Sequence, residues 1–244
     1  MDCKKVSQNI IQGTRDYFKR NNFKKAVIGL SGGIDSSLAL VLVTKALGHK
    51  NVIGLLLPNI GLSSMENYKH AKQIADYVKV HHITVPINNF IRPFSHLLWK
   101  ESLFARMNVN ARMRAVILYH FANSHNSLVI GTSNKTEMML GYFTKYGDGA
   151  VDIEVIGDLW KTEVFELARY LDIPQEIITK PPTAELYHGH TDEGEIGAPY
   201  AEIDKILQQM LQGKKPKGKI AEKIGKLVES NMHKSLPIPT IKIH

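Results

Sequence analysis

The sequence is predicted to form a doubly wound α/β domain, with a mostly parallel sheet of about five strands and helices on both faces. Short apolar runs of strand length recur along the chain and alternate with amphipathic helical segments. This alternation favours right-handed crossovers between parallel strands. The chain has 244 residues, enough to bury a substantial core. We therefore expect residues 1–244 to form one domain.

The first half of the chain contains three predicted strands, each preceded by a helical segment. In order, these elements are an N-terminal amphipathic helix, a strand at 26–30, a helix from about Ser36 to Gly48, a strand at 51–57, a helix from Ser63 to about Val78, and a strand at 81–87. The first two strands are almost wholly apolar, which is typical of parallel strands covered on both faces.

The second half contains one further predicted strand and several helices. In order, they are a helix from about Asn108 to Asn123, a strand at 127–132, an irregular segment, a helix that begins at Asp158, and closing helices at 200–211 and 219–232. The residues of the first of these helices expected to face the core are Met113, Val116, Ile117, His120 and Phe121. The proline-rich residues 235–244 are expected to return His233 and Lys234 towards the functional site.

Residues 29–36, the phosphate turn, connect the first strand to the second helix. The adjacent Gly32 and Gly33 permit backbone angles closed to other residues, so that successive N–H groups can point at an anion. The positive end of the following helix faces the same space. The turn lacks the lysine of the usual triphosphate loop and instead carries Asp35, which would repel phosphates unless a divalent metal lay between them. An ordinary strand-to-helix turn is the alternative interpretation.

Thr132 and Glu137 follow the fourth predicted strand. In an open parallel sheet, ligands bind beyond the carboxyl ends of the strands, where the phosphate turn also lies. Asp35 and Glu137 could therefore supply two oxygen ligands for Mg²⁺, whose other positions are filled by water and substrate phosphates. A helix-capping threonine and a surface glutamate are the alternatives.

Composition excludes several classes of protein. No apolar run approaches the roughly 20 residues of a membrane span, so we expect no membrane contact. The single cysteine, Cys3, excludes an internal disulfide and a cysteine-based metal cluster, and it favours a reducing cytoplasm. The net charge of +8 would suit a nucleic acid, but the lysines are spread singly and no RNA or DNA motif is found. We expect no nucleic-acid partner.

Several separated motifs point to one family. SGGIDS resembles the pyrophosphatase loop of the N-type ATP pyrophosphatases, which have the adenine nucleotide alpha hydrolase-like fold. The chain continues with GYFTKYGDGAVD, LWKTEV, PPTAEL, TDEGEIGAPYAEID and a late His-Lys pair. Together and in this order, these motifs resemble the NAD synthetases from about Val27 to Lys234. Other members of the pyrophosphatase group share the loop but not FTKYGDG.

The resemblance implies roles for individual residues. The implied ATP contacts are Gly29, Leu30, Ser31, Gly32, Gly33, Ile34, Asp35, Ser36, Thr132, Lys161 and Thr183. The implied Mg²⁺ ligands are Asp35 and Glu137, and the implied deamido-NAD contacts are Arg112, Lys145, Asp152, His233 and Lys234. For Lys161 the alternative is a helix-surface lysine, and for Asp152 it is a loop-capping aspartate.

The implied activity is that of a ligase that forms a carbon–nitrogen bond. The nicotinate carboxylate of deamido-NAD attacks the α phosphate of ATP and forms an adenylate, and ammonia then displaces AMP to give NAD. Glutamine-dependent relatives carry a fused glutaminase domain that this sequence lacks, so free ammonia is the expected donor unless a separate glutaminase subunit supplies it. Family members are typically homodimers.

Two further expectations concern loops. Asp148 is predicted to hold the ammonium ion, and residues 186–197, which are rich in glycine and acids, are predicted to form a mobile lid. The sequence also departs from the family at two places. Ser133-Asn134 stands where Asp-His is frequent, and Ser235 stands where an arginine often follows the His-Lys pair.

Two other functions stay open. One is another adenylylating enzyme of the ATP pyrophosphatase group, and the other is a nucleotide-binding regulatory module without turnover.

Overall fold

A computed structural model describes residues 1–183 and 191–243. Five parallel strands form one sheet in the order β3-β2-β1-β4-β5. The strands are β1 (Lys25–Gly29), β2 (Val52–Leu56), β3 (His81–Thr84), β4 (Ser127–Gly131) and β5 (Ile153–Glu154). The predicted doubly wound α/β fold is confirmed. The order reverses between β1 and β4, which is the position where open α/β sheets bind ligands.

The described helices cover both faces of the sheet. They are α1 (Cys3–Arg20), α2 (Ile34–Leu47), α3 (Met65–Tyr77), α4 (Asn88–Ile91), α5 (Leu103–His125), α6 (Lys135–Leu140), α7 (Lys161–Tyr170), α8 (Gln175–Thr179), α9 (Asp192–Ile196), α10 (Tyr200–Leu211) and α11 (Lys219–Ser235). Short 3₁₀ turns lie at His49–Asn51 and Arg92–His96. Within the described ranges, none of these helices combines the length and the apolar character that a membrane span requires.

Adjacent residues of the central strand, β1, pack into two different apolar cores on opposite faces of the sheet. Ile28 packs in the larger core with Leu38 and Val164, which lie on α2 and α7. Its neighbour Val27 packs in a smaller core with Ala122 of α5. Side chains alternate between the faces of a strand, so a strand covered by helices on both sides must be apolar throughout. A third apolar cluster holds α10 and α11 against α6.

The core-facing side predicted for α5 was wrong at two residues. Val116 is 60% exposed and His120 is also exposed, whereas Ala115 and Ala122 are buried. The prediction favoured the larger apolar side chains, but the buried stripe carries alanines because small side chains let the helix lie close to the sheet. A methyl group built on Gly29 of β1 would be 3.4 Å from Leu118 of α5, which illustrates this close approach.

Several predicted boundaries were also wrong. The helix expected from Asp158 begins at Lys161, and the segment expected to be irregular contains β5, which has only two residues and therefore no detectable period. The helix expected from Asn108 begins at Leu103. His233 and Lys234 form the last turn of α11 and are placed by that helix, not by the tail that follows it. Gly48 ends α2 at φ +81°, as predicted.

Candidate active site

The phosphate turn lies at the carboxyl end of β1 and depends on Gly32. This residue has φ +79°, a left-handed conformation that suits glycine. A Cβ on Gly32 would also lie against the carbonyl oxygen of Asn67 and 2.8 Å from its carbonyl carbon, so the turn touches the backbone of α3. Ser31 and Ser36 bond to each other across the turn, with their hydroxyl oxygens 3.0 Å apart. The turn is therefore closely packed against α3.

The start of α2 carries no side-chain cap in the described ranges. Its N-cap residue is Gly33. The first N–H groups of a helix have no intrahelical acceptor and carry the positive end of its dipole. They can therefore donate hydrogen bonds to a phosphate that enters at the turn.

A buried lysine joins the two predicted metal ligands. The Nζ atom of Lys161 is 2.5 Å from Oδ2 of Asp35 and 3.2 Å from Oε1 of Glu137. The Lys161 side chain is 1% exposed, and the two carboxylates are 18% and 15% exposed. The structure thus brings together three residues from α2, α6 and α7 that are distant in the sequence. Lys161 is not the surface lysine that was the alternative interpretation.

Burial and charge act in opposite directions in this cluster. Burial raises the pKa of Glu137 to about 8, Lys161 acts against this rise, and the neighbouring Asp35 adds to it. Burial disfavours the charged form of Lys161, but Asp35 and Glu137 together hold its pKa above the ordinary value. Lys161 is therefore an ammonium cation in the folded protein.

Asn134 joins the cluster, although the sequence had not indicated it. Its Nδ2 atom donates to Oδ1 of Asp35 at 2.9 Å, and its Oδ1 atom accepts from the N–H of Glu137 at 3.0 Å. Oε2 of Glu137 accepts in turn from the N–H of Asn134 at 3.2 Å, which completes a capping box at the start of α6. The spacing Asn-x-x-Glu was a visible signal for this cap. One of the two departures from the family pattern therefore lies inside the site.

Tyr200 and Asp192 form the wall behind Lys161. The Nζ atom of Lys161 lies 5.1 Å from the centre of the Tyr200 ring, and the Tyr200 hydroxyl donates to Asp192 at 3.2 Å. Asp192 is 4% exposed and begins α9. The predicted lid at 186–197 is thus divided: residues 186–190 lie outside the described ranges, and residues 191–197 include a helix with a buried aspartate, not a loose loop.

Four of the five residues predicted to bind deamido-NAD converge on the loop that follows α6. Nε of Arg112 donates to the carbonyl of Lys145 at 3.3 Å, and Nζ of Lys145 donates to the carbonyl of His233 at 2.7 Å. Lys234 donates to the carbonyls of Gly141 and Phe143 at 2.8 and 3.1 Å. Burial lowers the pKa of Lys234. These bonds link α5 and α11 to the FTKYGDG loop.

Asp152 is not part of this group. Its Oδ2 atom accepts from the N–H of Val129 at 2.7 Å, and its Oδ1 atom accepts from the hydroxyl of Tyr119 at 3.2 Å. This is the geometry of the loop-capping alternative. Asp148, the predicted ammonium ligand, is exposed and accepts from the N–H of Thr144 at 2.9 Å.

Thr132 and Thr183 are the other predicted ATP contacts. Thr132 is half-buried just beyond β4. Thr183 is also half-buried and ends the first described range. The nearby Lys180 donates to Asn67, whose backbone touches Gly32. The segment that carries Thr183 is therefore anchored beside the turn.

Glu154 is a second residue that the sequence analysis missed. It ends β5, and its Oε2 atom accepts from the N–H of Ser133 at 3.0 Å. Burial raises the pKa of Glu154 to about 8, and the Ser133 bond only partly opposes this. A carboxylate at the carboxyl edge of the sheet was not recognisable before β5 was located.

The acidic residues fit a Mg²⁺ ion that arrives with a nucleotide. The described residues contain no group of three or more histidine, cysteine or acidic side chains that could hold a metal unaided. Asp35 and Glu137 contact the same ammonium, so they are close enough to share one cation. Magnesium commonly takes only one or two carboxylates from a protein when phosphates supply further oxygens.

The fold and the site define an α/β protein that can hold nucleotide phosphates beside a buried lysine and a pair of carboxylates. The sequence profile described as NAD synthase matches residues 6–237. The chain belongs to this family, as the resemblance implied.

Named relatives agree with this assignment. A protein from Archaeoglobus fulgidus named NH(3)-dependent NAD(+) synthetase is 39% identical over 243 residues, which cover 100% of this chain and 98% of the relative. One of the same name from Thermoplasma volcanium is 43% identical over 199 residues, or 82% of this chain and 80% of the relative.

Solved structures show the same fold. The structure of NMN synthetase from Francisella tularensis has a TM-score of 0.89 and 34% identity, with 100% of both chains covered. The NH3-dependent NAD synthetase from Campylobacter jejuni has a TM-score of 0.86 and 28% identity, with 99% of this chain and 100% of that chain covered.

Proposed function

We propose that the protein is an ammonia-dependent NAD synthetase, a ligase that uses ATP to convert the nicotinate carboxylate of deamido-NAD into an amide. The observation that carries this proposal is the contact of one buried ammonium with both Asp35 and Glu137 at the mouth of the phosphate turn. A regulatory module that only binds a nucleotide does not require a buried cation beside two acids.

In the first step, the nicotinate carboxylate attacks the α phosphorus of ATP, the α–β phosphate bond breaks, and pyrophosphate leaves. The phosphate turn and the start of α2 donate N–H groups to the phosphates. Lys161 supplies positive charge where the leaving pyrophosphate gains negative charge. Mg²⁺, bound through Asp35 and Glu137, would neutralise phosphate charge and orient the nucleotide.

In the second step, ammonia adds to the carbonyl carbon of the adenylate. A carbon–nitrogen bond forms, the carbon–oxygen bond to AMP breaks, AMP leaves with the electron pair, and the nitrogen releases a proton. No nucleophile from the protein is required. Asp148 is our proposed ammonium ligand because it lies in the loop that Arg112 and Lys234 hold in place.

The basic residues around the FTKYGDG loop support a dianionic dinucleotide as the substrate. Arg112, Lys145, His233 and Lys234 come from three parts of the chain and meet at this loop. Arginine and lysine suit both carboxylate and phosphate groups. Both carboxylate oxygens of Asp152 are already bonded, so we propose that this residue supports the substrate site through the backbone beside it and not through its carboxylate.

A second candidate product is NMN. The similarity to the Francisella tularensis NMN synthetase extends over the whole chain with a TM-score of 0.89. In that case the acceptor would be the mononucleotide with a nicotinate carboxylate, and the site for ATP would be unchanged.

One experiment tests the proposal and separates the candidates. The purified chain is incubated with ATP, Mg²⁺ and an ammonium salt, with either deamido-NAD or nicotinate mononucleotide, and pyrophosphate and the amide product are both measured. We expect equal amounts of pyrophosphate and NAD with deamido-NAD. Faster turnover of nicotinate mononucleotide would make it, and not deamido-NAD, the preferred substrate. If neither compound is turned over, the proposal is overturned in favour of another adenylylating enzyme or a regulatory module. Turnover with glutamine in place of ammonium would reject free ammonia as the donor.

We also propose that the protein is a cytoplasmic homodimer. Large apolar side chains are exposed over residues 90–104, including Phe104 at 66% and Trp99 at 67%. Exposed apolar side chains that cluster in one segment favour contact with another protein surface, here that of a second copy. Sedimentation velocity should show a dimer for the natural chain and a monomer for Phe104→Asp. Leu211→Asp, at a residue 60% exposed on α10, is the matched control and should stay dimeric.

A further inference from the structure

The helix that carries Lys161 has no cap of its own. Trp160 is the N-cap residue of α7, and an indole offers no oxygen to accept from the first N–H groups of the helix. The Glu163 carboxylate accepts from the N–H of Trp160 at 3.0 Å, but this bond leaves the N–H groups of Lys161 and Thr162 without an acceptor within α7. Because a buried helix end needs acceptors for its N–H groups, they must come from elsewhere in the fold.

Two other helices supply these acceptors. Oγ1 of Thr136, on α6, accepts from the N–H of Lys161 at 2.9 Å. Oδ2 of Asp204, on α10, accepts from the N–H of Thr162 at 2.9 Å and from its hydroxyl at 2.7 Å. The hydroxyl of Thr136 then donates to Oδ1 of Asp204 at 2.5 Å. Asp204 and Thr136 are 2% and 0% exposed, so water does not compete for these bonds.

Asp204 therefore joins α6, which carries Glu137, to α7, which carries Lys161. One carboxylate oxygen holds the start of α7, where Lys161 is the first residue. The other holds Thr136, the direct neighbour of Glu137 on α6. The negative charge of Asp204 also suits the positive end of α7.

We infer that Asp204 is a positioning residue for the adenylylation step: by capping α7 from outside, it fixes Lys161 where its ammonium meets Asp35, Glu137 and the departing pyrophosphate. Asp204 itself touches neither Asp35 nor Glu137 in the described contacts, so it acts through the backbone at Lys161. A displacement of about 1 Å at a reacting group can reduce a rate by roughly a hundredfold.

The variants are chosen to preserve shape. Asp204→Asn keeps the size of the side chain but offers one carbonyl oxygen in place of two carboxylate oxygens. Thr136→Val removes the hydroxyl that links Asp204 to Lys161, and Thr136→Ser restores it. Ile203→Val is the matched control, because Ile203 is the 0% exposed neighbour on α10 and has no polar atom in the side chain.

The decisive measurement is a double-mutant cycle between Asp204 and Lys161. The first step is assayed alone as exchange of labelled pyrophosphate into ATP, with deamido-NAD present and ammonium absent. We expect Asp204→Asn to slow exchange by roughly tenfold to a hundredfold in the natural background. In a Lys161→Met background the same change should cost no more than about twofold, because the ammonium that Asp204 positions is gone. Thr136→Val should resemble Asp204→Asn, and Thr136→Ser and Ile203→Val should not.

A purely stabilising role predicts a different result. Asp204→Asn would then reduce exchange by the same factor in both backgrounds. If Asp204→Asn and Ile203→Val also had equal melting temperatures, they would slow exchange by equal factors. Either outcome overturns the inference. If exchange by Lys161→Met is below detection, the same cycle is measured as affinity for Mg²⁺-ATP at equilibrium, where independent effects would again overturn it.

The inference rests on the proposed function only in assigning Lys161 to the phosphates of ATP. If the natural chain binds ATP but forms no amide, the proposed function fails, while the cycle in ATP affinity still tests the role of Asp204. If the natural chain forms NAD and the cycle shows no coupling, only the role of Asp204 fails.

Discussion

Replacement of Gly32 by alanine tests whether the phosphate turn depends on its contact with α3. The new methyl group introduces two costs. The left-handed φ of +79° costs about 1 to 2 kcal/mol for a residue with a Cβ. The methyl group would also be 2.8 Å from the carbonyl carbon of Asn67, whereas carbon atoms in contact are normally about 3.5 to 4.0 Å apart. The atom in the way belongs to a helix backbone and cannot rotate aside.

These two costs set the expected size of the effect. Overpacking of this kind costs about 1 to 3 kcal/mol, so the total loss in the free energy of unfolding is about 2 to 5 kcal/mol. For a chain of this length, each kcal/mol lowers the melting temperature by roughly 2 to 4 °C. We therefore expect Gly32→Ala to melt roughly 4 to 20 °C lower. The displaced turn should also weaken ATP binding by at least about tenfold, because its N–H groups no longer converge on the phosphates.

Gly213→Ala is the matched control. Gly213 has a similar φ of +74°, but no atom of the described residues lies within 4 Å of a Cβ built there. This variant has only the conformational cost of about 1 to 2 kcal/mol, and it should bind ATP normally. Thermal unfolding and equilibrium ATP binding are measured for both variants. Equal losses of melting temperature, or unchanged ATP affinity in Gly32→Ala, would falsify the argument from the Asn67 contact.

Three further predictions concern polar and charged residues at the edge of the sheet. Lys161→Met should slow pyrophosphate release by roughly a hundredfold to a thousandfold because a preorganised cation is lost, whereas Lys205→Met, at an exposed lysine of α10, should not; similar rates for the two variants would contradict this. Asn134→Ala should lose about 1 kcal/mol of stability in urea with its helix cap, and Asn134→Asp should lose more although it can still cap, because it sets a buried charge against Asp35; recovery of stability in Asn134→Asp would contradict this. The folded pKa of Glu154, about 8, lies above its unfolded value near 4.5, so its protonation stabilises the fold below about pH 4.5 and this stabilisation is lost as pH rises to about 8. Over this window Glu154→Gln should flatten the pH dependence of the unfolding free energy by roughly 1 kcal/mol per pH unit, and unchanged slopes would show that Glu154 does not titrate there.

The parts of the site that could be predicted from sequence are those encoded by local patterns. Gly32, Gly33 and Asp35 lie in one turn, and the change from strand to helix around them indicates what the turn can bind. Glu137 was placed correctly because parallel strands end at a common edge. Lys161 was found only through the resemblance to a family, since its spacing does not distinguish a buried lysine from an exposed one.

The remaining parts depend on contacts between distant segments. Asp204 lies on an ordinary amphipathic helix, and nothing near it in the sequence indicates that it caps α7. The same limit explains the error in α5, where packing of Ala115 and Ala122 against the sheet determines the buried face. Asn134 was an intermediate case, because its cap was visible locally but its bond to Asp35 was not.

The external cap on α7 also constrains the order in which the enzyme can become active during its synthesis. Lys161 emerges from the ribosome before the segment that contains Asp204, and until that segment folds, the first turn of the lysine's helix has no acceptor from α10. The N–H and the hydroxyl of Thr162 therefore gain their carboxylate acceptor only when α10 docks. If Asp204 positions Lys161 as we infer, competence for chemistry is a late event in the life of each new molecule, and it depends on a carboxylate that does not itself react.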